Sequence, residues 1–240
     1  MKSDRVVFVH GAGTFGAAAW PRQHGMAREF DCLFVRRHGF DPVAAPLRTD
    51  FEADRQIVEE ALGRGGHLVA ASQGAVSAMM LAVERPDLVR SLVLAEPACL
   101  SLTKELPATA AHRERVEPLF MRAAELTDED FSREFARAVI GSEPRPLNTA
   151  EDRDRARRLR MQAPPWTAPL AIVPGVPTLV LTGGWEPLYE EVAEYLAGTG
   201  AVHRVVGGGH RPQDTEEGNT ILRRFIRDHA EKGPELGVDA

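Results

Sequence analysis

At 240 residues the chain is long enough to bury one large core and short for two, so a single domain is expected. With 43% hydrophobic and 27% charged residues it matches ordinary globular composition, which excludes a disordered or low-complexity chain. The net charge of −6 argues against broad attraction to nucleic-acid phosphates or anionic membranes, leaving a small, mostly uncharged molecule as the expected partner.

In chain order, the first segment, MKSDRVVFVHG, enters a buried strand (Val6 to Val9) at once, without the apolar run and cleavage site of a signal peptide. No stretch approaches the roughly twenty apolar residues of a membrane span. Cys32 and Cys99 stand in apolar contexts with no CxxC or Cys/His spacing, which suits free thiols in a reducing compartment and makes the cytoplasm the expected location. A helical pattern covers Asp54 to Leu62. A strand, His67 to Ala71, then runs into Ser72 and a helix from Ala75 to Glu84, and the strand Ser91 to Ala95 ends at Glu96-Pro97.

From residue 98 to 169 this alternation stops. Amphipathic patterns at Ala108 to Ala124, Asp128 to Val139 and Glu151 to Met161, with Pro-rich joints, read as a helical insertion over one end of the sheet. The basic run Arg153 to Arg160 reads as a solvated helix face. Alternation resumes with the strand Thr178 to Thr182, the helix Leu188 to Leu196 and the strand His203 to Val206. Strands alternating with helices predict an α/β fold with a mostly parallel sheet covered on both faces. The expected layout is a core of 1–97 and 170–230, the insertion between them, and a flexible tail at 231–240.

Chemistry concentrates at Ala70-Ala71-Ser72-Gln73-Gly74. Where a buried strand turns sharply into a helix, the two backbones pass close together, so small residues are needed two positions either side of the serine, and its hydroxyl is left exposed. Ala70 stands where glycine is commoner. A serine at this point could merely cap the helix, but its place after a buried strand favours a nucleophile.

Together with VVFVHGAG at residues 6–13 and the late Gly207-Gly208-Gly209-His210, this elbow resembles the α/β-hydrolase superfamily over nearly the whole chain outside the insertion. The resemblance implies that His210 is the general base for Ser72, and that backbone N–H groups at Ala12 and Gln73 form the oxyanion hole. It also implies that His10 braces the turn rather than carrying protons. His24, His38, His67, His112, His203 and His229 have no such context. Strand one already carries the His-Gly turn, so the two antiparallel strands that usually precede it look absent and about six strands are expected.

The resemblance leaves two residues open as the triad acid. Glu186, in Thr182-Gly183-Gly184-Trp185-Glu186-Pro187, matches a Gly-x-x-Asp-Pro segment with Glu for Asp. Glu96 follows the strand Ser91 to Ala95, where haloalkane dehalogenases and some lactone hydrolases carry their acid. The atypical Gly-Gly-Trp segment puts Glu96 slightly ahead.

The expected activity is that of a carboxylesterase-like serine hydrolase, acting on a small or medium, mostly apolar ester, thioester or lactone through an acyl-enzyme on Ser72. The alternatives are a hydroxynitrile lyase, a cofactor-free haloperoxidase or a carbon–carbon hydrolase on the same scaffold, or a ligand-binding receptor-like module with little turnover. A dehalogenase is disfavoured because its elbow carries a carboxylate. No motif for a nucleotide, flavin or metal is present, so no cofactor is expected. A monomer or homodimer is expected. Leu119, Phe120, Met121, Phe131, Phe135 and Trp166 of the insertion are expected to divide between its own core and a pocket lining.

Overall fold

A computed structural model describes residues 4–141, 143 and 146–230; the side chain of Ile140 and the expected tail at 231–240 lie outside the described residues. Six strands, β1 (Arg5–Val9), β2 (Asp31–Phe34), β3 (Gly66–Ala71), β4 (Val89–Ala95), β5 (Thr178–Thr182) and β6 (Val202–Val205), form one all-parallel sheet in the order β2-β1-β3-β4-β5-β6. After β1 the chain moves outward to β2 and then returns to place β3 on the other side of β1. This reversal opens a crevice at the C-terminal ends of β1 and β3, the place where ligands bind in open parallel sheets.

The four central strands are almost continuously buried, which is why they read as unbroken apolar runs. Alternation still sorts their side chains. Val7, Val9, Leu68, Ala70, Leu92, Leu94 and Val180 face a cluster with α1 (Phe51–Leu62), α2 (Gly74–Glu84) and α6 (Pro187–Gly198). Val6, Phe8, Val69, Val93, Leu179 and Leu181 face Trp20, Met26 and Phe30 together with Leu222 and Ile226 of α7 (Glu216–Asp228). The helix α2 is apolar nearly all round, as a helix enclosed on every side must be, and Gly74 through Ala82 are all buried.

Between residues 98 and 169 the described residues hold α3 (Pro107–Met121), α4 (Asp128–Phe135), which runs into a π turn (Ala136–Ile140), and α5 (Ala150–Arg160), with no strand. Each helix start has a local cause. Pro107 opens α3, whose first amides, Ala108 N and Thr109 N, donate to the Glu191 carboxylate of α6 at 2.8 and 2.7 Å. Thr127 caps α4, and Thr149 with Asp152 forms a capping box on α5.

The basic run is not uniformly solvated. Arg158 is buried, its guanidinium carbon 4.7 Å from the centre of the Phe15 ring. Of the cysteines, both free, Cys99 is buried and Cys32 only partly so. Among the described residues no helix is long and apolar enough to cross a membrane.

Candidate active site

Ser72 follows β3 and precedes α2 with φ +50°, in the left-handed region that a side chain normally avoids. Its amide donates to the Ala95 carbonyl at 3.0 Å, and its own carbonyl accepts from Ala75 N and Ala98 N, both at 3.1 Å, so the turn is held from three sides. Gly74 is required here: a β-carbon at that position would lie 2.3 Å from the His10 carbonyl oxygen. A β-carbon at Gly11 would similarly lie 2.9 Å from Ser72 Cβ, so the turn after β1 meets the serine at closest approach.

That turn is braced by His10. Its Nδ1–H donates to the Gly11 carbonyl at 2.7 Å, and its Nε2 accepts from Arg37 N at 3.1 Å, which fixes the tautomer and leaves no nitrogen for proton transfer. Burial, aided by the nearby Arg37 charge, lowers the His10 pKa to about 3, so the ring is neutral. Beyond the brace, the backbone N–H groups of Ala12 and Gln73 have no acceptor among the described residues. Both residues line the same cavity as Ser72.

Glu96 follows β4, also at positive φ (+47°), and is fully buried. Its Oε1 accepts from Gly183 N at 2.6 Å; its Oε2 accepts from Trp185 Nε1 at 3.0 Å and lies 3.4 Å from His210 Nδ1. Glu186 instead sits at the N-cap of α6, makes no side-chain hydrogen bond among the described residues and does not line the cavity. The atypical Gly-Gly-Trp segment before it has a physical role: two of its three residues supply N–H donors to Glu96. Gly183 is also required for the loop contact, since a β-carbon there would lie 2.1 Å from the Gly209 carbonyl oxygen, in the loop that carries His210.

His210 follows Gly207, Gly208 and Gly209, at φ +69°, +83° and +56°, a path that only glycines follow without strain. Its ring rests 5.0 Å from Tyr189 and 6.1 Å from Trp185, centre to centre. Burial, with Glu96 and Glu186 nearby, raises the Tyr189 pKa well above the ordinary phenol value, so Tyr189 stays protonated. Sequence reasoning did not single out Trp185 or Tyr189. Trp185 had one signal, its place beside the conformationally permissive Gly183-Gly184 pair; Tyr189, inside α6, had none.

Ser72, His210, Ala12, Gln73 and Trp185 open onto one cavity of about 530 Å³. Its far wall comes from the helical segment through Val116, Phe120, Phe135, Val139, Leu159 and Trp166. Of the apolar residues expected to divide between core and lining, Phe120, Phe135 and Trp166 line the cavity, Leu119 and Phe131 are buried, and Met121 is 78% exposed. His112, given no functional context by the sequence, also lines it. The wall is mostly apolar, and a cavity of this size takes a small or medium organic molecule.

The parallel sheet, the strained turn at Ser72 at its crevice and the histidine loop beyond β6 define an α/β-hydrolase fold. The model of the Alpha/beta hydrolase family matches residues 6–219, and the chain belongs to that family. Similar solved structures include MenH from S. aureus, with a TM-score of 0.66 at 15% identity over 95% of each chain. NosK from Streptomyces actuosus aligns with a TM-score of 0.62 at 25% identity, covering 95% of this chain and 99% of that one. A malate-bound thermophilic esterase from Thermogutta terrifontis aligns with a TM-score of 0.61 at 19% identity, covering 96% of this chain and 92% of the other. No curated protein matches the chain by sequence.

Proposed function

We propose that the protein is a serine hydrolase that cleaves a small or medium, mostly apolar ester, thioester or lactone through an acyl-enzyme on Ser72, with His210 as base and Glu96 as acid. The observation that carries this reading is the buried Glu96 carboxylate 3.4 Å from Nδ1 of His210, whose side chain lines the same cavity as Ser72. A serine hydroxyl is a weak nucleophile at neutral pH and needs an imidazole to take its proton; a carboxylate on the opposite ring nitrogen fixes the tautomer and stabilises the imidazolium as it forms.

In the first half-reaction Ser72 Oγ attacks the carbonyl carbon while His210 Nε2 accepts the hydroxyl proton. The tetrahedral oxyanion is held by the Ala12 and Gln73 N–H groups, which have no acceptor among the described residues; such donors contribute about 3 kcal/mol each. Collapse breaks the carbonyl–leaving-group bond, and His210 returns its proton to the departing alcohol or thiol. Water, deprotonated by the same imidazole, then attacks the acyl-enzyme, and Ser72 leaves with the proton restored. The residues 98–169 act as a cap that sets which acyl group fits.

Stopped-flow hydrolysis of p-nitrophenyl butyrate tests this. A burst of nitrophenol near one equivalent is expected for the wild type, together with a loss of at least about a thousandfold in kcat for Ser72→Ala. Equal turnover by Ser72→Ala would overturn the assignment. Cyanohydrin cleavage without any acyl-enzyme would give the site to a lyase on the same scaffold.

A further inference from the structure

Most polar side chains on the cavity wall are satisfied within the protein. Gln162 Oε1 accepts from Thr49 Oγ1 at 3.4 Å and its Nε2 donates to the Arg158 carbonyl at 3.0 Å. Asp152 caps α5, and Arg155 pairs with Glu151 at 3.3 Å. His112 is different. It lies on α3, only 7% exposed, with its ring edge-on to Trp166 at 6.4 Å, and it lines the cavity.

Arg115, one turn along α3, places its Nη2 3.3 Å from His112 Nδ1. An arginine can only donate, so Nδ1 presents its lone pair and the ring proton resides on Nε2. Burial, with the Arg115 charge behind it, lowers the His112 pKa to about 4, which keeps the ring neutral at pH 7. The Nε2–H, on the ring edge away from Nδ1, has no acceptor among the described residues. A donor left unpaired in apolar surroundings is unfavourable until a ligand supplies an acceptor, and a site with such a donor discriminates against ligands that lack one.

We propose that His112 is a specificity-determining residue whose Nε2–H binds an uncharged oxygen acceptor, such as a ketone, an ether or a second ester carbonyl, in the acyl part of the substrate. A neutral donor in an apolar wall suits an uncharged oxygen, because a carboxylate brought to Nε2 would lose its hydration while the Arg115 guanidinium lies on the opposite, Nδ1 side of the ring. This deepens the reading of Ser72 as an acylated nucleophile and rests on it.

The test compares kcat/KM for p-nitrophenyl octanoate with that for its keto analogues, the ketone moved one carbon at a time along the chain. For the wild type one ketone position should be preferred by about tenfold over the plain ester, the worth of one buried hydrogen bond. The preference should vanish in His112→Phe and partly return in His112→Gln, whose amide restores a donor. The ratio compares two substrates on one protein, so it is independent of how much of a variant folds. No preferred position in the wild type, or a preference that survives in His112→Phe, would overturn the proposal. If the wild type cleaves none of these esters, the hydrolase reading fails on its own account. Titration of methyl hexyl ketone into histidine-labelled protein then decides: the His112 Nε2–H resonance should move, and a static resonance overturns the proposal.

Discussion

Ser72 and Glu96 are the two non-glycine residues at positive φ among the described residues, and they directly follow the adjacent strands β3 and β4. Such conformations cost about 1 to 3 kcal/mol each and persist where surrounding structure enforces them, commonly at functional sites. That Ser72 and His210 lie at unusual turns was legible, because each has a local signature: a small-residue elbow after a buried strand, and a glycine run before a histidine; both line one cavity. Which glutamate stands beside the histidine was not, because Glu96 and Glu186 both follow strands and the 3.4 Å approach of His210 Nδ1 to Glu96 Oε2 joins residues 114 apart in the chain. The Trp185 Nε1–H bond to Glu96 Oε2 was invisible for the same reason, being a contact across 89 residues. Replacement of Glu96 by Gln should lower kcat by about a hundredfold or more, since an amide on the Nδ1 side favours the wrong imidazole tautomer. The Glu186→Gln change should stay within about twofold. Steady-state kinetics on both variants check this, and a larger loss from Glu186→Gln would reassign the acid.

At the scale of elements, the turn after β1 depends on a relay from α1. Arg37 pairs with Asp54 of α1 at 2.8 Å, both side chains 1% exposed, while His38 N donates to Asp54 Oδ1 at 2.6 Å and Arg37 N donates to His10 Nε2. Asp54→Ala would strand a buried guanidinium and should destabilise the fold by about 3 to 5 kcal/mol, whereas an apolar double replacement of Arg37 and Asp54 should recover much of that. Urea unfolding of both variants measures it; a loss under about 1 kcal/mol for Asp54→Ala would show that the pair does not hold the turn. The central strands and α2 were readable from their apolar runs. The strand β2 leaves little trace in the sequence because it has four residues, an edge position and an alternating, half-exposed pattern. The helix α7 had its signal in Thr215, which accepts from Gly218 N, and in Ile221, Leu222, Phe225 and Ile226, which are spaced for one face.

For the whole molecule, burial of neutral histidines couples stability to pH. His10 and His112 have folded pKa values near 3 and 4, against 6.5 for an unperturbed histidine. Below pH 6.5 the unfolded chain therefore takes up protons that the folded protein refuses. The stabilisation is fully present above pH 6.5 and is lost as pH falls towards 4, at up to about 1.4 kcal/mol per pH unit for each ring. The unfolding free energy should drop by about 3 kcal/mol between pH 6.5 and 5, and urea midpoints that stay level across that range would contradict it. The alternation of strands and helices, and its interruption at residues 98–169, made the α/β architecture readable from sequence. Burial of Arg158 and the exposure of His112 to the cavity were not readable, because both depend on how α3 and α5 sit against the crevice. The central claim, an activated Ser72, is tested most directly by intact mass after treatment with a fluorophosphonate. One adduct on the wild type, none on Ser72→Ala and slowed labelling of His210→Ala are expected; an unlabelled wild type, or an adduct that persists in Ser72→Ala, would contradict the account.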